Sequence, residues 1–241
     1  MPLAVEPNSR VSLSGSGQMV YTAPHNGGRD LFVAGPDGQP MNLTNSPADD
    51  IQPAWSPDGR QVVFSSGRTG SFKIFTVAAD GGNPVQLTGG RGFDEWPAWS
   101  PDGRQLAFVS DRDGNAEIYR VDADGANLRR LTDNPAEDWP VSWSPGGRWL
   151  VFGSNRDGNW NLYLLPAEGG APVQLTNHPG DERDPVWLPN GDIAFAHNGP
   201  GNWDIFTLSL PIDQIGPVSP ESWSQITNSP QDERYPALVA N

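Results

Sequence analysis

The stretch PAWSPDGRQLAFVSDRDGNAEIYRVDADGANLRRLT, residues 97–132, decides the fold because the chain writes it several times over. Its tryptophan, Trp99, is one of four set 44 residues apart, with Trp55, Trp143 and Trp187. A Leu-Thr or Ile-Thr pair ends on Thr44, Thr88, Thr132, Thr176 and Thr227, each 11 residues before the next anchor position, the last of which is Leu238. A more diverged first copy has Leu13 at the anchor, followed by Tyr21, Phe32 and Thr44. Self-similarity at such a period is the signature of a repeat architecture.

Within the second copy, four short runs rich in β-branched and aromatic residues read as strands: Gln52 to Trp55, Gln61 to Ser65, Lys73 to Val77 and Val85 to Leu87. Between them stand turns such as SPDGR at Ser56 and Ser100, SPGGR at Ser144 and LPNGD at Leu188. Asp-Gly and Asn-Gly pairs supply the positive φ of tight hairpins. No stretch keeps helical periodicity over three turns, which sets aside parallel α/β folds with their crossover helices. Four-stranded units of this length are propeller blades. The fold expected is therefore all-β: a β-propeller of five four-stranded blades closed into a ring, one domain over 1–241. The repeats span 9–44, 45–88, 89–132, 133–176 and 177–227, with 228–241 as a closing strand. The fifth copy is longer by a Pro-rich insertion between Pro211 and Trp223. Tyr235 to Ala240 reads as one more inner strand that joins the first blade and removes an exposed edge. In the alternative, an incomplete or six-bladed ring, another chain would supply the missing strands.

The chain has 241 residues, enough to bury about 70% of its unfolded surface. No apolar run reaches the length of a membrane span, so membrane insertion is not expected. Cysteine is absent, which removes disulfides, thiolate metal sites and a thiol nucleophile together. A formal charge of −14 repels a phosphate backbone, so nucleic acid is not an expected partner. The 28 glycines and 25 prolines recur at fixed places between strands and belong to turns. Residues 1–10 lack the pattern of a secretory signal, and the expected state is a monomer.

The pattern PAWSPDGRxxxFxSxRxGxxxIYxxxxxGxxxxxLT resembles the WD-like propeller repeat of the TolB family, over residues 13–241. The resemblance implies a periplasmic or other extracytoplasmic location. Propellers of this kind serve as periplasmic scaffolds, as substrate-gating domains of peptidases and as sugar lyases, so the fold alone does not choose among them. No segment reads as the separate N-terminal domain of TolB or as a hydrolase domain.

Five residues before each anchor stands an acid: Asp50, Asp94, Asp138, Glu182 and Glu233, each beside a second one, Asp49, Glu95, Glu137, Asp181 and Asp232. Extended chain puts the first set roughly 17 Å from the tryptophans, at the other mouth of the channel. There they read as an acidic ring able to hold a divalent cation. The competing reading makes one acid of each pair a loop cap, or an ion-pair partner of Arg183, Arg234 and similar neighbours, while Arg68, Arg112 and Arg156, at matched positions, are candidates to pair with acids of neighbouring loops. Trp96, Trp139 and Tyr235 lie beside the acids, so the expected ligand site is this acidic, aromatic-lined mouth. Its ligand would be a peptide, a protein segment or a carbohydrate, and the SPDG end would offer little apolar surface. The four anchor tryptophans read as blade-to-blade packing.

All three histidines, His25, His178 and His197, fall in loops of the acidic mouth and form a candidate metal cluster. No catalytic role is assigned to any residue, since no nucleophile elbow, phosphate-cradling loop or His-Glu-x-x-His pair occurs. A binding or scaffold module is the leading reading, with no cofactor required. The alternatives are a metal-assisted polysaccharide lyase or hydrolase built on the histidines, and a repeat protein without a ligand of its own.

Overall fold

A computed structural model describes residues 11–35, 38–199, 201–210, 218–228, 231–234 and 236. Among these residues twenty strands form five antiparallel four-stranded sheets, each in simple sequence order. The first blade holds β1 (Ser12–Leu13), β2 (Met19–His25), β3 (Gly28–Ala34) and β4 (Met41–Asn42). The second holds β5 (Asp50–Trp55), β6 (Gln61–Ser66), β7 (Lys73–Ala78) and β8 (Val85–Gln86). The third holds β9 (Asp94–Trp99), β10 (Gln105–Ser110), β11 (Glu117–Asp122) and β12 (Arg129–Arg130). In the fourth are β13 (Asp138–Trp143), β14 (Trp149–Ser154), β15 (Asn161–Pro166) and β16 (Val173–Gln174). The fifth has β17 (Glu182–Trp187), β18 (Asp192–His197), β19 (Asp204–Ser209) and β20 (Ser224–Gln225). This is the five-bladed propeller that the repeat implies.

The SPDG turns form for a local reason. Gly59, Gly103 and Gly147 take φ of +68° to +70°, which a side chain would strain. The serine that opens each turn ties it shut: Ser56, Ser100 and Ser144 Oγ accept the backbone N–H of Gln61, Gln105 and Trp149 at 2.9–3.0 Å. Ser56 and Ser100 also donate to Asp58 and Asp102 at 2.6 and 2.7 Å. Those hydroxyls hold both carboxyls below the ordinary range.

The core lies between blades. Each apolar cluster draws on two consecutive sheets, as where Val20, Leu31 and Val33 of the first meet Trp55, Phe64 and Phe75 of the second. The same joint recurs around Trp99, Trp143 and Trp187. The anchor tryptophans therefore pack where the repeat places them, and Trp99 and Trp143 Nε1 donate to Ala54 and Ala98 O of the preceding blade at 3.3 and 3.1 Å.

Each inner strand from β5 to β17 carries a register shift. Gln52, Trp96 and Asp184 take positive φ there, between +54° and +57°. Such a bulge turns a side chain out of the ladder. Gln52 Oε1 uses the turn to accept Trp96 N of the next blade at 2.9 Å.

Beyond the fifth blade the chain docks as the start of another inner strand. Glu233 N donates to Trp203 O at 2.7 Å, repeating Asp94 to Phe72, Asp138 to Ala116 and Glu182 to Trp160 at 2.8–2.9 Å. The expected closing strand lies outside the described residues, Pro236 excepted, and so does its junction with the first blade.

Candidate functional site

The acidic mouth is built differently from the ring that the spacing suggested. Asp50, Asp94, Asp138 and Glu182 have no exposed surface. Arg68, Arg112 and Arg156 reach over from the loops after β6, β10 and β14. Their Nη2 atoms donate to Asp50, Asp94 and Asp138 at 2.9, 2.7 and 2.9 Å. Each guanidinium also lies on the aromatic pair of its own blade: Phe64 and Phe75, Phe108 and Tyr119, or Phe152 and Tyr163, at 4.5–5.9 Å from the ring centres. A buried carboxylate is tolerated when paired and hydrogen-bonded in this way. The acids are thus internal to their blades, and the expected exposed ring is corrected: at Asp50, Asp94 and Asp138 an arginine already holds the carboxylate. Burial pushes the Asp50 and Asp138 carboxyls up, against the pull of serine and arginine.

The second acid of each pair mostly ties its blade to the one before. Asp49 pairs with Arg29 at 2.9 Å, and Glu137, Asp181 and Asp232 accept the backbone N–H of Ala116, Trp160 and Trp203 at 3.0–3.2 Å. Glu95 departs from this scheme: burial first, then the charge of Asp111, raises its carboxyl above the usual 4.5. Its contribution to stability is therefore complete below 4.5 and is lost as pH rises through the folded value. Glu95→Gln is expected to raise the melting temperature at pH 7, with the gain vanishing below pH 4.5. A gain that persists in acid would assign the effect to packing.

Of the aromatic residues expected at this mouth, Trp96 and Trp139 meet edge to face at 6.2 Å and lie half-buried against the core between the third and fourth blades. Tyr235 lies outside the described residues. Glu233 is half-buried, on the segment docked against Trp203. Arg183 lies against the rings of Trp160 and Trp203, at 4.5 and 5.8 Å, and Arg234 covers Trp203 at 4.0 Å.

The apolar cavity is at the other end. About 490 Å³ opens where the inner strands end, between Trp55, Trp99, Trp143 and Trp187, with Leu13 and Pro236 completing the wall. Pro57, Pro101, Pro145 and Pro189, the second residues of the SPDG-type turns, form an exposed rim. The expectation that this end lacks apolar surface is corrected. Proline opens the turn after the inner strand in four copies, following Ser56, Ser100, Ser144 and Leu188, while the first copy has Ser14-Gly15 there; convergence of the blades turns four scattered prolines into one rim.

The histidines separate. His25 sits edge-on to Phe32 of the first blade at 5.9 Å, in the place that Arg68 takes in the second. His178 and His197 meet at 4.7 Å in the fifth blade. There Glu182, not His25, is the third member, and ligand atoms of the three lie within 4.8 Å of one another. His197 stands where the other blades have Ser66, Ser110 and Ser154, and Gly199 stands where they have arginine. A Cβ on residue 199 would collide with His197 Nε2, so the lost arginine is what admits the imidazole. Trp223 covers the same aromatic pair, 5.1 Å from Phe195 and 6.4 Å from Phe206. Burial raises the Glu182 carboxyl, and His197 and Thr176 pull it back. Sequence spacing did not signal Trp223, which arrives from the end of the insertion after a 3-10 turn at Pro220–Ser222.

Solved structures share this architecture. TolB of Acinetobacter baumannii is 25% identical with a TM-score of 0.74, over 91% of this chain and 55% of that one, so the chain spans about half its length. A protein described as TolB from Agrobacterium tumefaciens is 22% identical with a TM-score of 0.74, over 84% and 76%. A puromycin-hydrolyzing peptidase of Mycobacterium tuberculosis matches at 21% and 0.62, over 81% and 36%, which is a likeness of fold. No match was found among curated proteins. The family model described as the TolB beta propeller domain matches residues 86–234, more than half of the chain. The chain therefore belongs to the TolB β-propeller domain family.

Proposed function

We propose that the chain is a binding module that takes a peptide segment of a partner protein into the tryptophan-walled end of its channel. The observation that carries this reading is the cavity itself: four indoles framed by an exposed proline collar, on a scaffold of interlocked blades. Aromatic walls offer a large contact area at small entropic cost, which is how binding hot spots arise. Extended, proline-rich segments dock into aromatic-lined grooves for the same reason, since little order has to be imposed on them. Placing the ligand here moves it from the acidic mouth, where Asp50, Asp94 and Asp138 are already paired with arginines. Family membership supports an extracytoplasmic location, and no helix among the described residues is long and apolar enough to cross a membrane.

Ala98 lines this cavity and is half-buried. Ala98→Arg is expected to fill the channel and to weaken a proline-rich peptide, titrated against tryptophan fluorescence, by about tenfold or more, roughly the loss of one good contact. The melting temperature should stay near that of the parent. If the arginine variant binds the peptide as the parent does, the channel is not the site. If neither binds any member of a proline-rich peptide library, the module reading itself fails.

A further inference from the structure

We propose that His178, Glu182 and His197 form a binding site for a borderline transition-metal ion such as Zn²⁺, set in the fifth blade apart from the channel. Three observations converge on it. The fifth blade alone, among those with a described inner-strand acid, has exchanged its arginine for a glycine and brought an imidazole to that acid. A second imidazole, His178, is supplied by the loop before β17. Finally, Glu182 Oε1 is enclosed and has no hydrogen-bond donor in line, although His197 Nδ1 lies only 3.0 Å away.

That last distance is informative. Nitrogen and oxygen ligands at 2.0–2.2 Å around a tetrahedral ion stand roughly 3.3–3.5 Å apart. At 3.0 Å this oxygen and nitrogen stand slightly inside that spacing, so a shift of a few tenths of an ångström would seat both on one ion. The other carboxylate oxygen is held from behind. With its amide turned to satisfy both ends, Asn161 donates to Glu182 Oε2 at 3.2 Å, the kind of outer partner that fixes a metal ligand.

Two imidazoles and one carboxylate favour zinc, cobalt or nickel over calcium and magnesium, which prefer oxygen alone. No thiolate competes, because the chain has no cysteine. Three protein ligands leave a fourth position, and beside the histidines lies a cavity of about 330 Å³ lined by Gly199, Phe206, Trp223 and Gln225. The fourth ligand is a water or a small anion entering there. Trp223 lies 5.8 Å from His178 and 5.3 Å from His197, close enough to report the ion through its fluorescence.

The whole chain, stripped with EDTA and exchanged into clean buffer, is titrated with ZnCl₂, with CaCl₂ and MgCl₂ in parallel. Binding to the folded state alone raises the melting temperature. Zn²⁺ should do so saturably at one ion per chain, while Ca²⁺ and Mg²⁺ should not, and Co²⁺ should give the strong visible bands of a four-coordinate ion. His178 is half-buried in a loop, so His178→Ala should melt with the metal-free parent yet bind Zn²⁺ about tenfold to a hundredfold more weakly. His25→Ala should bind as the parent does. The proposal is overturned if Zn²⁺ does not bind at one per chain, if His178→Ala binds as tightly as the parent, or if His25→Ala loses the ion.

Discussion

Asp94→Ala is expected to cost about 3–5 kcal/mol of stability, the range for breaking a buried ion pair by removing one member. In a chain of this size that lowers the melting temperature by roughly 6–20 °C. Asp94 is fully enclosed and serves two cations: Arg112 at 2.7 Å and Lys73, itself almost buried, at 3.5 Å. Lys73 belongs to the second blade and Asp94 to the third, so the loss would loosen a joint as well as orphan two charges. Lys73 keeps the carbonyls of Arg91 and Gly92, at 3.2 and 2.7 Å, which limits the damage on that side. Denaturant melts of Asp94→Ala, Arg112→Ala and the double variant test the assignment. The double variant should lose less than the sum of the singles, because the second change removes a charge that the first left unpaired. Additive losses, or an Asp94→Ala chain as stable as the parent, would return the acids to a solvated mouth and reopen the ring reading.

Trp143→Ala should cost a similar amount, about 3–5 kcal/mol, as large aromatic truncations in a core do. The indole is 7% exposed, packs among Val109, Ile118 and Leu131 of the third blade, and donates to Ala98 O at 3.1 Å. Removing it opens a void between blades and leaves that carbonyl without its partner. Trp96→Ala and Trp139→Ala differ in kind, since both rings are half-buried at the rim of the same joint. Their edge-to-face contact is worth about 0.5–1.5 kcal/mol beyond burial, so each should destabilise less than Trp143→Ala. Equal losses at all three positions would mean that the rim pair is as much core as the anchors. Peptide binding separates the roles further: Trp143→Ala alters the channel wall, while the rim pair lies at the opposite mouth.

Five four-stranded blades, their turns and the burial of the anchors were legible in the chain because each rests on local chemistry repeated at a fixed interval. Strand periodicity, Asp-Gly turns and a tryptophan every 44 residues do not depend on what lies across the molecule. The matched spacing of Asp94 and Arg112, or of Asp138 and Arg156, likewise allowed both an open ring and closed pairs. Only the tertiary structure chose between them, because the choice turns on whether the guanidinium of one loop reaches the strand start beside it, and the aromatic pair beneath it makes that placement favourable. The same holds at the other end of the channel. The prolines at 57, 101, 145 and 189 are turn residues in the sequence, and they become a wall only when the blades aim their turns at one axis. His25, His178 and His197 looked alike as loop residues, yet His25 fills an arginine's place over Phe32 while the other two meet around Glu182. What separated them was a single register position, with glycine at 199 in place of arginine. Its consequence is steric and acts across the sheet, where no pattern along the chain records it.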